Sequence, residues 1–146
     1  VHGDTKLNNV LFDEHDGRAR CVVDLDTCMP AWTLYDFGDL VRFTAASCPE
    51  DHPHPAEAAI SLELYKALRD GFASGAERCL TAIERRLMPT AAKLVTFMIG
   101  LRFLTDHLSG DVYFRIHHPG HNLERARIQF ALVADLDRRG GDLESP

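Results

Sequence analysis

The sequence predicts a mainly α-helical domain that carries one small β-hairpin near its start. Two short apolar runs, at residues 10–12 and 21–23, flank a polar segment that ends in Asp16-Gly17, and Asp-Gly is a strong turn signal. Beyond residue 34, apolar residues recur at spacings of three and four, the period of an amphipathic helix. The chain has 146 residues, of which 45% are hydrophobic and 26% are charged. A chain of this length and composition can bury a core of its own.

The helical pattern falls into several segments. Helices are predicted over residues 34–46, 56–72 and 77–87, and the third of these is expected to end before Pro89. The clearest helix covers residues 90–108. Its predicted core stripe consists of Leu94, Phe97, Met98, Leu101, Leu104 and Leu108.

The last helix is predicted to follow a loop at residues 109–120. Asn122 is placed to cap this helix, because its side chain can accept a hydrogen bond from a free backbone N–H. The predicted apolar face of the helix consists of Leu123, Ala126, Phe130 and Val133. Residues 140–146 are expected to form a frayed tail.

Composition and charge exclude several classes of function. Lys and Arg total 16 and Asp and Glu total 22, so the formal charge is −6, which argues against a nucleic-acid binder. No apolar run approaches the roughly 20 residues that span a bilayer, and no signal-peptide pattern opens the chain. We therefore expect no membrane partner and a cytoplasmic location. The four cysteines form no C-x-x-C pair and are expected to be reduced.

A dense polar motif opens the chain. It reads H-x-D-x-x-x-x-N, with His2, Asp4 and Asn9 in the named positions, and the sequence Asp24-Leu25-Asp26 follows the second apolar run. Phosphoryl transfer needs a carboxylate that orients a hydroxyl and accepts its proton, and hard oxygen ligands that hold Mg²⁺ against the phosphates. It also needs a cation near the transferring group, a role that Lys6 suits.

The predicted hairpin explains how the separated ligands could meet. Asn9 precedes the first strand and Asp24 follows the second, so an antiparallel pair brings them side by side. A second acidic triplet, Asp36-Phe37-Gly38, spells the D-F-G of protein kinases but lies at the start of a predicted helix. Asp24 is therefore the better metal ligand. Asp36 is expected to cap its helix or to brace the catalytic loop.

These motifs resemble those of the aminoglycoside phosphotransferase and choline kinase superfamily, small-molecule relatives of protein kinases. Protein kinases usually carry Arg at the position of Gly3. Three further segments resemble the N-acetylhexosamine 1-kinases: VVDLDTCMPAWTLYDFGDLVRF, GLRFLTDHLSGDVYF and HNLERARIQFALV. Those kinases transfer the γ-phosphate of ATP to the anomeric hydroxyl of N-acetylglucosamine or N-acetylgalactosamine.

The resemblance implies the C-terminal, catalytic lobe of the protein-kinase-like fold over residues 1–139, with the N-terminal lobe absent. The catalytic loop and metal-binding hairpin would occupy residues 1–27, and the helical substrate-binding part residues 34–139. Because the chain opens with Val1 directly at the motif, we interpret it as a fragment. The sequence has no Gly-rich phosphate loop and no strand lysine paired with a helix glutamate. The chain alone is therefore expected to bind nucleotide weakly and to transfer no phosphate.

The resemblance also implies a role for individual residues. Asp4 would be the catalytic base, which also contacts the substrate, and Lys6 would face the γ-phosphate. Asn9 and Asp24 would bind the nucleotide through magnesium, with Asp26 a second metal ligand or a substrate contact. The implied sugar-pocket residues are Arg102 and Tyr113, and the implied structural supports are His2 and Asp36.

Some alternatives remain open from the sequence. Spacing alone favours an exposed Arg102–Asp106 ion pair over a pocket role, and Tyr113 could be a core aromatic. The expected cofactors are ATP and Mg²⁺, and the expected partners are a small-molecule sugar and the missing N-terminal lobe. The acceptor could instead be an aminoglycoside, another sugar or an amino alcohol. A non-catalytic, truncated remnant is the third hypothesis.

Overall fold

The computed structural model describes residues 1–144, which form a mainly helical structure with one two-stranded antiparallel hairpin. The strands are β1 (Val10–Phe12) and β2 (Ala19–Val22). The helices are α1 (Leu34–Thr44), α2 (Leu62–Gly75), α3 (Ala82–Leu108), α4 (His121–Arg138) and α5 (Gly140–Glu144). Short 3-10 turns cover Leu7–Asn9, Leu25–Thr27 and Pro55–Glu57.

The hairpin forms as the sequence predicts. Val10 pairs with Val22 and Leu11 with Cys21, and the register shifts between Leu11 and Phe12. The turn is closed by Asp13, whose carbonyl oxygen accepts a hydrogen bond from the N–H of Gly17. The turn glycine adopts a φ of 66°, a left-handed conformation that favours glycine. The two strands thus place their outer ends, at residues 9 and 23, side by side.

The core lies where α1 and α4 pack against α3. Close approach of the helices depends on two glycines: a Cβ at Gly38 of α1 would lie 2.5 Å from Val95 Cγ2, and one at Gly100 of α3 would lie 2.9 Å from a ring carbon of Phe130. The largest buried apolar side chains include Phe37, Tyr65, Met88, Ile128 and Leu132.

α3 is one continuous helix, where the sequence predicted two that break at Pro89. The helix begins with a capping box, in which Thr81 and Glu84 satisfy each other's backbone N–H groups. Pro89 removes one backbone hydrogen bond at a cost of about 3 kcal/mol. Burial of Met88, Ala92 and the rest of the inner face against α1 and α4 outweighs that cost, so the helix continues through the proline.

The predicted core stripe of α3 is wrong. Leu94, Leu101 and Leu108 are 51%, 41% and 77% exposed, whereas the buried face carries mainly small residues and Phe103. The helix has two apolar faces, and the side chains of the leucine face are too large for the close contacts made at Gly38 and Gly100. Tertiary packing therefore selected the face with the small residues.

By length and composition alone, α3 could span a membrane. A core helix of a globular protein passes the same test. In this structure α3 packs against α1 and α4.

Three expectations for the end of the chain are also corrected. Gly120, with a φ of 86°, occupies the N-cap of α4, and Asn122 lies inside the helix with its side chain turned to Asp106. Ala126 is buried in α4 as expected. The large apolar side chains buried on the same helix are Ile128, Leu132 and Leu136, rather than the expected Leu123, Phe130 and Val133. The expected tail forms α5, because Leu143 is buried in the core; residues 145–146 lie outside the described part.

Candidate active site

The loop that opens the chain is held in place by carboxylates of α1. Asp36 accepts the backbone N–H groups of His2 at 2.7 Å and Gly3 at 2.9 Å. One turn later, Asp39 accepts the backbone N–H of Thr5 at 2.9 Å. Asp36 lies in the first turn of α1 but caps nothing there, so the capping role is wrong and its carboxylate braces the loop instead.

His2 ties the same loop to the hairpin. Its Nε2 donates to the carbonyl oxygen of Val23 at 3.1 Å, while its Nδ1 accepts the N–H of Asp4 at 3.3 Å. Gly3 has a φ of 85°, and a Cβ there would lie 3.0 Å from the carbonyl oxygen of Thr27. An arginine at this position, as in protein kinases, would be strained in this loop. The backbone at this position therefore favours glycine.

Asp4, Lys6 and Asn9 form one hydrogen-bonded group. Asp4 Oδ2 accepts from Lys6 Nζ at 2.7 Å and from Asn9 Nδ2 at 3.0 Å. Within residues 1–144, no hydrogen bond reaches the other carboxylate oxygen, Oδ1. This oxygen is thus available to a hydroxyl group.

The electrostatics of the group follow from these contacts. Partial burial tends to raise the pKa of Asp4, but the hydrogen bonds from Lys6 and Asn9 outweigh it and lower the pKa below the ordinary value of 3.8. The hydrogen bond to Asp4 is also the main cause that raises the pKa of Lys6, and the charges of Asp24 and Asp39 act in the same direction. At neutral pH the site holds a carboxylate and an ammonium group.

The hairpin brings the predicted metal ligands close along the backbone. The N–H of Val23 donates to the carbonyl oxygen of Asn9 at 2.9 Å, directly before Asp24. Asp24 has a φ of 63°, a left-handed conformation that non-glycine residues rarely adopt. Such strain persists only where the surrounding structure imposes it, and it is frequent at functional sites.

The donors near the hairpin suit a magnesium ion. Mg²⁺ prefers hard oxygen ligands and is usually bound by one or two protein carboxylates together with phosphate oxygens. Asn9 is buried, whereas Asp24 and Asp26 are exposed at the end of the hairpin. Within residues 1–144, no three His, Cys, Asp or Glu side chains converge on a metal position. Mg²⁺ bound by Asn9 and Asp24 would therefore need further oxygen ligands, such as those of phosphates.

A cavity of about 660 Å³ joins the loop that opens the chain to the loop that follows α3. Asp4 and Lys6 line one side, and Arg102 and Tyr113 line the other. Arg102 donates to the hydroxyl of Tyr113 at 3.4 Å, and its guanidinium lies 5.5 Å from the centre of the tyrosine ring. The structure thus brings these four predicted residues to one cavity, whereas Asp24 and Asp26 do not line it.

The structure contradicts both alternatives from the sequence, an exposed Arg102–Asp106 ion pair and a core position for Tyr113. Asp106 does not pair with Arg102, because its two oxygens accept from the loop after α3 and from Asn122. Tyr113 is 72% exposed, so it is not a core aromatic.

Several residues of the cavity were missed by the sequence analysis. Arg42 makes a two-pronged ion pair with Asp39 at 2.7 and 3.0 Å and a second with Glu50 at 2.6 Å. The guanidinium of Arg125 lies 5.4 Å from the centre of the Phe103 ring, and Arg125 also lines the cavity. These residues come from distant segments, and no local spacing marks them.

The hydrogen-bonded group of Asp4, Lys6 and Asn9, the hairpin with metal-ligating residue types and the adjoining cavity contain the kinds of groups that phosphoryl transfer needs. A sequence model of the phosphotransferase enzyme family, APH, matches residues 1–77, which is more than half of the 146-residue chain. The chain belongs to the phosphotransferase enzyme family. The matched segment runs from the opening loop through α2. This match confirms the phosphotransferase class expected from the opening motif.

Proposed function

We propose that the chain is the catalytic, C-terminal lobe of a protein-kinase-like phosphotransferase that transfers the γ-phosphate of ATP to a hydroxyl of a small molecule. The observation that carries this proposal is the state of Asp4. One of its oxygens is engaged by Lys6 and Asn9, while Oδ1 is free beside the cavity that Arg102 and Tyr113 also line.

In the proposed reaction, Asp4 Oδ1 accepts the hydrogen bond of the acceptor hydroxyl and orients its oxygen toward the γ-phosphorus. Asp4 takes the proton as the new oxygen–phosphorus bond forms and the bond between the γ-phosphorus and the β–γ bridging oxygen breaks, with ADP as the leaving group. The low pKa of Asp4 makes it a weak base, which suits a loose transition state in which the proton is transferred late. Lys6, a third exposed, exchanges its bond to Asp4 for one to the transferring phosphoryl group.

Mg²⁺ is the proposed metal cofactor, held by Asn9 and Asp24, with Asp26 as a further ligand. It would neutralise negative charge on the phosphates of ATP when bound. Asp26 is assigned to the metal rather than to the acceptor because it does not line the cavity that Arg102 shares with Asp4.

The proposed acceptor is an N-acetylhexosamine, phosphorylated on its anomeric hydroxyl. The cavity volume exceeds that of a single sugar ring, and its wall combines hydrogen-bonding groups with aromatic faces, Tyr113 and Phe114. Sugars bind such walls through hydroxyl hydrogen bonds and stacking. An aminoglycoside or another small alcohol is the alternative acceptor, and a non-catalytic remnant is the alternative to an enzyme.

The proposal includes an N-terminal lobe of the same protein as the partner that holds the adenine and the α- and β-phosphates. The sequence from Val1 onward contains no glycine-rich phosphate loop to do so. A cytoplasmic location belongs to the same proposal, because ATP is the donor and the four cysteines are free.

Phosphate transfer from γ-labelled ATP tests the proposal on the full-length gene product, with N-acetylglucosamine, N-acetylgalactosamine, an aminoglycoside and choline as acceptors. We expect transfer to the two N-acetylhexosamines and a loss of about 10²–10⁴-fold in kcat for Asp4→Asn. Asp137→Asn, on the exposed side of α4, is the matched control and should keep normal kcat. Transfer only to another acceptor would replace the sugar assignment. Absence of any transfer would favour the remnant.

Paramagnetic broadening by Mn²⁺, a stand-in for Mg²⁺, tests the metal assignment on the 146-residue chain. NMR signals of Asn9, Asp24 and Asp26 should broaden first, and Asp24→Asn should weaken this effect. Asp70→Asn, an exposed carboxylate on α2, should leave it unchanged. Broadening elsewhere, with no effect at the hairpin, would contradict the metal assignment.

A further inference from the structure

Asp106 is a buried carboxylate, 5% exposed, in the last turn of α3. The position is unfavourable, because burial removes water from the charge and the C-terminal end of a helix is its negative end. Hydrogen bonds from four N–H donors offset the cost of burying this negative charge. Oδ1 accepts the backbone N–H groups of Val112 at 3.0 Å and Tyr113 at 2.8 Å. Oδ2 accepts the backbone N–H of Phe114 and the side-chain amide of Asn122, both at 2.9 Å.

This arrangement fixes the loop after α3 from two sides. Asn122 Nδ2 also donates to Asp111 Oδ1 at 2.9 Å, and Asp111 has a left-handed φ of 58°. Burial tends to raise the pKa of Asp106, but the loop N–H donors outweigh it and lower the pKa below 3.8. The carboxylate therefore remains charged at neutral pH, with two donors on each oxygen, which fills its acceptor capacity.

The fixed loop presents side chains to the cavity. The Arg102 guanidinium lies 5.5 Å from the Tyr113 ring centre and 5.3 Å from that of Phe114. Phe114 in turn packs on Phe103 at 4.7 Å. Tyr113 itself is largely exposed, so burial of its ring does not explain why the backbone beneath it is held by a charged group.

We propose that Asp106, together with Asn122, is a positioning residue that holds the Tyr113–Arg102 pair in place on the acceptor wall of the cavity. This inference rests on the proposed function for its acceptor. Asp106 touches neither the acceptor nor the phosphates. It acts through the backbone of residues 112–114, and so it determines which acceptors fit the cavity rather than the chemistry at Asp4.

The variant Asp106→Asn separates this role from bulk packing, because it keeps the size of the side chain. An amide has one acceptor oxygen, and its NH₂ group cannot accept. If the oxygen keeps the Val112 and Tyr113 donors, the NH₂ group faces the donors of Phe114 and Asn122, and two N–H groups lose their partner. Asn122→Ala removes one donor from Asp106, together with the hydrogen bonds to Asp111 and from Arg125, and serves as the second variant should the first one fold poorly.

The test uses NMR on the 146-residue chain. Amide hydrogen exchange at residues 112–114 and the NOE between the Tyr113 ring and the Arg102 side chain report the loop directly, without a ligand. For Asp106→Asn we expect exchange at Phe114 to become faster by about tenfold or more, and the NOE to weaken. N-acetylglucosamine, titrated as the probe, should bind at least about fivefold more weakly. Asp137→Asn should match the wild type in all three measurements.

The outcomes are distinguishable. Unchanged exchange and an unchanged NOE in Asp106→Asn would overturn the inference. Faster exchange combined with unchanged sugar affinity would also overturn it, because the role would then be structural only. If the wild-type chain binds no sugar, the acceptor assignment of the proposed function fails. In that case exchange and the NOE alone decide whether Asp106 holds Tyr113 and Arg102.

Discussion

Gly38 marks the closest approach of α1 to α3, and its substitution tests the packing that supports the site. A Cβ at residue 38 would lie 2.5 Å from Val95 Cγ2 and 2.6 Å from the carbonyl oxygen of Ala91. The valine methyl could rotate away, but the carbonyl belongs to the backbone of α3 and moves only with the helix. Gly38→Ala should therefore push the two helices apart.

The expected magnitude combines two opposing effects. Overpacking a core costs about 1–3 kcal/mol, and a clash with backbone places Gly38→Ala near the upper end. Alanine is more favourable than glycine inside a helix by about 1 kcal/mol. The free energy of unfolding should thus fall by about 2 kcal/mol, which for a chain of this size lowers Tm by about 6 °C.

Gly71→Ala is the matched control, because Gly71 lies inside α2 and a Cβ added there would meet no atom within 4 Å. This substitution should raise the free energy of unfolding by about 0.5–1 kcal/mol. Urea unfolding followed by circular dichroism measures both variants. α1 also carries the loop-bracing Asp36 and Asp39, so the amide signals of Gly3 and Thr5 should shift in Gly38→Ala alone. A Gly38→Ala protein as stable as the wild type would refute the close approach.

Three further predictions concern stability. Burial tends to raise the pKa of Asp135, but the hydrogen bonds from Ile60 and two arginines outweigh burial and lower the pKa below 3.8. The ionised Asp135 therefore stabilises the fold at pH values above the pKa of the unfolded state. This stabilisation is lost as the pH falls through the pKa of the folded state. Urea midpoints should therefore fall as pH drops below about 4, and less steeply in Asp135→Asn. Leu108→Gln, at an exposed position of α3, should change the free energy of unfolding by less than about 0.5 kcal/mol, whereas Phe103→Ala, at a buried position, should lower it by about 3–5 kcal/mol. Equal losses of stability would mean that the leucine face of α3 is buried after all. Thr81→Ala removes the capping box of α3 and should cost about 1 kcal/mol, and an unchanged urea midpoint would argue against the cap.

The opening polar motif and the hairpin were accessible to sequence reasoning because their signals are local. An Asp-Gly turn between two apolar runs is enough to place Asn9 and the residue before Asp24 side by side. The spacing of Asp4 and Asn9 is likewise short. The bracing role of Asp36 was one of two interpretations of the sequence, and only the hydrogen bonds to His2 and Gly3 decided between them.

The cavity wall was only partly accessible. Arg102 and Tyr113 were named through a resemblance, whereas spacing alone favoured an Arg102–Asp106 ion pair. In the structure Asp106 instead accepts hydrogen bonds from the loop after α3 and from Asn122. Three consecutive backbone N–H groups and a side-chain amide stabilise a buried carboxylate better than one exposed guanidinium does. The cavity position of Arg125 was not accessible, since the groups beside it there, Phe103 and Glu50, lie far away in sequence.

By itself, the sequence determined the helical class, the hairpin, the phosphoryl-transfer motif and the helical character of the long apolar segment. Tertiary structure alone decided which face of α3 is buried and whether Pro89 ends the helix. The physical reason is that periodicity reports only that a helix has an apolar face. A helix with two such faces is oriented by shape, and here Gly38 and Gly100 allow the small-residue face to approach its neighbours most closely.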